Sequence, residues 1–161
     1  IISIIGQNFG AKNFLRVQES YFTAIKYGFI LMILSGLIIF LSADKIVGIF
    51  SNNPVVIDYG TNYLKISALI FPAYPIFFIS NALIQGIKKA NIVMLLTFGR
   101  MVLLPTIVLT YLIFYLESSF AFVFWGLLII NWIFGIFVFV LTKRLISKEK
   151  KRFSNQNALS N

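Results

Sequence analysis

Residues 22–43 read FTAIKYGFILMILSGLIIFLSA, and Lys26 is their only charge. A hydrocarbon core about 30 Å thick is crossed by about 20 apolar residues in helix. This stretch is therefore read as a membrane span, and three more of the same kind follow. They are NYLKISALIFPAYPIFFISNALIQGI at 62–87, IVMLLTFGRMVLLPTIVLTYLIFYL at 92–116 and SFAFVFWGLLIINWIFGIFVFVLT at 119–142. Helix is the default for all four, because open strand edges are not tolerated in lipid. The whole chain agrees. Of its 161 residues 59% are hydrophobic and only 12% charged, with a mean hydropathy of +0.90. A soluble domain carries about 25% charged residues. The reading is an all-α polytopic membrane helix bundle with four transmembrane helices over residues 1–146. A basic cytoplasmic tail over 147–161, without apolar periodicity, is expected to be disordered.

The chain has no cysteine and no histidine. Thiol chemistry, thiolate metal sites and histidine-based catalysis are removed, so no enzyme, metal or cofactor is expected. No aspartate or glutamate falls inside any of the four spans. Lys12, Arg16, Lys26, Lys88, Lys89, Lys143, Arg144, Lys148, Lys150, Lys151 and Arg152 would share one side of the membrane, whereas Lys45 and Lys65 lie on the other, beside Asp44, Asp58 and Glu117. Positive charge marks the cytoplasmic face. The expected topology is multi-pass in the cell (inner) membrane with both ends cytoplasmic. The net charge of +9 then requires no nucleic acid. Topology and a solvated tail account for it, with an anionic-lipid site in the tail as the sharper alternative.

The connections carry the motifs. Residues 6–20 read as a polar link after a short helix end at 1–5. Residues 44–50 read as a short amphipathic piece. Asn53 before Pro54 reads as a helix start, with proline at the first helical position. The links after the second and third spans are short, KKAN and ESS, which makes neighbouring helices antiparallel.

The segment GQNFGAKNFLR at 6–16 resembles the G-Q-x-x-G-A-x-x-x-x-x-R motif of the multidrug and toxic compound extrusion (MATE) transporters, through Gly6, Gln7, Gly10, Ala11 and Arg16, with the arginine one place early. IVGIFSNNPVVIDYGTNYLKI at 46–66 is similar to that family's external link. LIQGIKKANIVMLLTFGRMVLLP at 83–105 is similar to its Q-x-x-G-x…R…P pattern through Gln85, Gly86, Lys88, Arg100 and Pro105, with the glycine earlier than in that pattern. The resemblance implies two six-helix lobes that rock between inward-open and outward-open states, with this chain supplying helices three to six of the second lobe. It implies a secondary active transporter that exports organic cations, drugs or toxic compounds in exchange for an ion. The coupling H⁺ or Na⁺ would bind in a missing part of the chain, and the N-terminal lobe would be the main partner. The chain begins with isoleucine, and a fragment is the expectation. A lipid-linked saccharide flippase of the same superfamily, and a small membrane scaffold without transport, are the rival readings.

Individual residues have local readings as well. Gly6 and Gly10 can take positive φ and end a helix, Gln7 and Asn8 can satisfy freed backbone groups, and Arg16 can meet lipid phosphate. The motif is thus a structural turn or a cytoplasmic gate. Ser67, Tyr74, Phe78, Asn81 and Gln85 are offset by 0, 7, 11, 14 and 18 positions, which fall within about 60° of one another at 100° per residue. That stripe is either a wall of the substrate pathway or a set of interhelical hydrogen bonds. Pro72 and Pro75 would bend or hinge the same helix. Arg100 lies about nine residues into its span. Such depth costs roughly 2.5–3.5 kcal/mol on insertion scales, so Arg100 must snorkel or pair, as an anchor or a gating contact. Asn131 and Trp132 read as packing, and Gly99, Thr106 and Thr110 as a close-packing seam.

Overall fold

The computed structural model of the chain describes residues 1–114 and 120–159. The expected link at 117–119, with Glu117, lies outside them. The described residues are helical almost throughout: α1 (Ile2–Gly10), α2 (Phe14–Phe50), α3 (Pro54–Ile70), α4 (Ala73–Gly86), α5 (Ala90–Phe98), a π-helical turn (Gly99–Leu103), α6 (Leu104–Phe114) and α7 (Phe120–Leu159). Three stretches are long and apolar enough to cross a membrane, and a fourth is reached if the bent pair α3–α4 is counted as one span.

The helices run further than their apolar stretches. α2 takes in both the polar residues before 22 and the piece at 44–50, so the first link shrinks to 11–13 and the amphipathic piece is the last two turns of a 37-residue helix. At 1.5 Å per residue α2 is about 55 Å long and outreaches a hydrocarbon core. Its start is capped by Asn13, whose side chain accepts the Arg16 N–H at 3.2 Å. Asn53 accepts the Val55 N–H at 3.0 Å, with Pro54 at the first position of α3, as the sequence indicates.

Helix ends differ from the glycine expectation. No glycine has positive φ among the described residues; Lys12 (φ 59°) and Lys88 (φ 64°) have it instead. Both close the same hydrogen-bonding pattern. After α1, Lys12 N–H donates to Phe9 O and Asn13 N–H to Asn8 O; after α4, Lys88 N–H donates to Gln85 O and Lys89 N–H to Ile84 O. These are paired 5→2 and 6→1 Schellman bonds. A left-handed non-glycine residue costs about 1–2 kcal/mol, and the satisfied carbonyls offset it. The glycines serve close approach instead. A Cβ on Gly86 would fall 2.7 Å from Ile5 Cγ2, and one on Gly6 would lie 3.7 Å from Gly86 O.

The α3–α4 bend of 43° follows from the two prolines. Pro72 offers no N–H to the carbonyl of Ala68, and Pro75 offers none to Phe71. Those carbonyls accept from Phe71 N–H (3.3 Å) and Tyr74 N–H (3.1 Å), one residue closer. Neighbours clamp the break on two sides. Gly36 of α2 lets the Ala68 carbonyl approach, and Trp132 of α7 donates its indole N–H to Leu69 O at 3.0 Å. Trp132 is therefore a specific hydrogen-bonding partner of the bend and not packing alone.

Residues 147–159, expected as a disordered tail, are assigned to helix. α7 continues through them to Leu159. The reason is tertiary: Glu149 pairs with Lys89 at 2.6 Å, and Phe153 packs its ring against Phe9 and Phe14. A segment without apolar periodicity of its own is held by one buried carboxylate and one ring.

Candidate functional site

Three elements meet at Arg100. The π turn that carries it precedes Pro105, which has no N–H for the carbonyl of Met101. The backbone accommodates this with a wider turn, in which Leu104 N–H reaches back to Gly99 O, five residues away. Inserted π turns of this kind recur at functional positions. The extra residue also rotates the two ends of the span relative to each other. Gly99 consequently faces Phe134 of α7, whereas Thr106 and Thr110 are exposed in this chain and make no shared seam with it.

Arg100 is buried, with 7% of its surface exposed. Its Nε–H and an Nη2–H both donate to Asn131 Oδ1, at 3.2 and 2.5 Å. Asn131 is held in turn by its own Nδ2, which donates to Leu127 O at 2.7 Å. That bond directs the amide oxygen at the guanidinium, so Asn131 orients a charge and is more than a packing residue. The guanidinium carbon lies 4.1 Å from the Phe77 ring centre, 5.1 Å from Tyr74 and 5.6 Å from Phe78. Cation–π attraction of about 0.5–2 kcal/mol per ring offsets part of the cost of burying the charge. The arginine neither snorkels nor meets an acid among the described residues.

A groove of about 630 Å³ opens beside this cluster, lined by Met32, Tyr74, Pro75, Phe78, Arg100 and Asn131 among others. Of the five residues in the sequence stripe, it takes two. Tyr74 and Phe78 sit ring to ring at 6.3 Å, and Phe78 is 52% exposed. Ser67 is on α3, across the bend, where a continuous 100° count no longer holds. Asn81 is buried, and its Oδ1 has no hydrogen-bond partner among the described residues. Gln85 is exposed near the end of α4. The neighbouring Ser80, which the stripe did not include, is fully buried and bonded to Tyr21 of α2 at 2.7 Å. In the opening motif, Gln7, Gly10, Ala11 and Arg16 are exposed, and Gly6 is half-buried against α4.

Broken and widened helices beside a largely apolar groove fit a multi-pass membrane transporter. The sequence pattern that defines the MatE family matches residues 1–112, and the chain belongs to that family. No curated protein matches it. Solved structures agree in fold at 22% identity. One is described as a MOP superfamily transporter from Pyrococcus furiosus Vc1 (DSM3638) whose binding pocket has reverse polarity, suggesting a different function; the TM-score is 0.86 over 92% of this chain and 34% of that one. An outward-facing multidrug resistance MATE transporter gives 0.85, with 93% and 33% covered. An inward-facing one gives 0.86, with 93% and 35% covered. The chain thus spans about a third of the length of these relatives.

Proposed function

We propose that the chain forms part of the second lobe of a secondary active transporter, which exports bulky organic compounds, drugs or toxic molecules by alternating access. The groove at the α4 bend carries this reading. It is lined by an exposed phenyl ring, a phenol and an amide, which suits weak and sterically tolerant binding. An ion gradient supplies the driving force. With no acid inside the spans, the H⁺ or Na⁺ site belongs to residues outside this chain, in the first lobe that is its principal partner. The lipid bilayer is the surrounding solvent, with no nucleic acid or cofactor involved.

The reading is tested by export of several unrelated substrates from cells carrying Phe78→Ala in the two-lobed transporter, normalised to membrane protein level. The expected result is a changed substrate profile, with some exports falling several-fold and others unchanged. A proportional loss across all substrates that tracks protein abundance would reject the pathway role, and no transport by the parent protein would favour a scaffold.

The reading also sets orientation. Ser51 is external, whereas Ser147, the α1–α2 link and the α4–α5 link are cytoplasmic, in the inner membrane. An impermeant thiol reagent added to intact cells should label Ser51→Cys and leave Ser147→Cys unlabelled until the cells are broken. The opposite pattern reverses the topology.

A further inference from the structure

We propose that Arg100 and Asn131 form a subsite for an anionic group, a carboxylate, sulfonate or phosphate, of an amphiphilic substrate lying in the α4 groove. The inference rests on that groove being part of the pathway. Its starting point is an unbalanced charge. Arginine stays protonated at any relevant pH and has five N–H donors. Asn131 Oδ1 takes two of them, and no other acceptor is recorded for the side chain among the described residues. The aromatic rings of Tyr74, Phe77 and Phe78 fix its plane without neutralising it. No carboxylate lies within the apolar stretches, so the counter-charge has to come from elsewhere.

Arg100 is one of the groove's lining residues, so a ligand in the groove lies beside it. The remaining N–H groups form part of the planar fork that pairs with carboxylate or phosphate oxygens. The other lining residues are Met32, Tyr74, Pro75, Phe78, Ile79 and Met101, which offer apolar and aromatic surface for the rest of the molecule. A cation brought to the same place would meet a fixed like charge in a poorly screened setting. The subsite therefore favours molecules with an aromatic or aliphatic body and an acidic head.

Two xanthene dyes of opposite charge test this: fluorescein, an anion, and tetramethylrhodamine methyl ester, a cation. Binding to the purified two-lobed transporter is read by fluorescence anisotropy, with empty detergent micelles as background. Fluorescein should bind more tightly than the cation. Arg100→Gln should weaken fluorescein about ten- to a hundredfold, the range of one charge-assisted hydrogen bond, and leave the cation unchanged or tighter. Arg100→Lys should recover part of the loss. Since a buried arginine can be needed for folding, Asn131→Asp provides a second route. It keeps Arg100 and supplies an internal counter-ion, and should weaken fluorescein in the same direction. The proposal is overturned if the parent protein prefers the cation, binds neither dye above background, or if both Arg100→Gln and Asn131→Asp leave the ratio of the two affinities unchanged. Phe78→Ala separates the two levels of the argument. If it alters binding of either dye while the charge changes do nothing, the groove is a pathway without an anion subsite. If it alters neither dye, the pathway reading fails as well.

Discussion

Gly36→Leu should lower the thermal midpoint of the detergent-purified protein by roughly 2–12 °C. A Cβ at Gly36 would lie 2.8 Å from the Ala68 carbonyl oxygen and 3.7 Å from Phe71 Cβ. Backbone cannot rotate out of the way as a side chain can, so α2 and α3 would have to separate. Overpacking of this kind costs about 1–3 kcal/mol, sometimes more, and each kcal/mol moves the midpoint of a chain this size by about 2–4 °C. The carbonyl concerned is the one that lost its donor to Pro72, so the strain falls on the bend. Gly28, eight residues earlier on α2, faces Pro75 at 2.9 Å, and the two glycines bracket the break. The control lies on the same helix. Gly48 has nothing within 4 Å of its Cβ position, and Gly48→Leu should be neutral or slightly stabilising, since leucine is the better helix former. Equal midpoints for the two variants would show that α2 does not approach the bend this closely.

The contrast between these glycines also shows how far the sequence can be read. Both sit in the same helix among apolar neighbours, and only the position of α3 separates them. Span number, helical class and the cap at Asn53 are legible because they follow from local composition and hydrogen-bond chemistry. The family resemblance is legible for the same reason, since its motifs are punctuation between spans. Geometry that depends on accumulated phase is not. The stripe from Ser67 to Gln85 presumed a uniform turn through two prolines, and the seam from Gly99 to Thr110 presumed one through the π turn; the structure interrupts the helix within both. Arg100 was visible as an expensive charge, but its partner was not. Asn131 lies thirty-one positions away and looks like any amide in a span. Its signal was the charge itself, which demanded some acceptor at the same depth.

The second large effect belongs to Lys89 and Glu149. Their 2.6 Å ion pair joins the α4–α5 link to the last part of α7. The Glu149 side chain is 8% exposed and that of Lys89 is 27% exposed, so the pair is only partly screened by water. Replacing Lys89 by methionine keeps the aliphatic bulk but leaves the carboxylate buried alone, which costs roughly 2–5 kcal/mol. Lys89→Met with Glu149→Leu removes both charges, and much of that loss should return. The loss should also be local, because free energies of opening vary along a structure. Besides the pair, this end of α7 is anchored by Phe153 against Phe9 and Phe14, and by Lys12 over the Phe153 ring at 5.6 Å. Without the pair it should open first, freeing the helical backbone at the exposed Lys148, Lys150 and Lys151 for trypsin. The expected sequence of trypsin cleavage rates at these sites is slow for the parent protein, at least tenfold faster for Lys89→Met, and intermediate for the double variant. A disordered tail makes a different prediction: the parent protein would be cut at once, and neither substitution would matter. Rapid and equal cleavage in all three proteins would therefore refute the docked helix, and with it any role for Glu149 in holding the two links together.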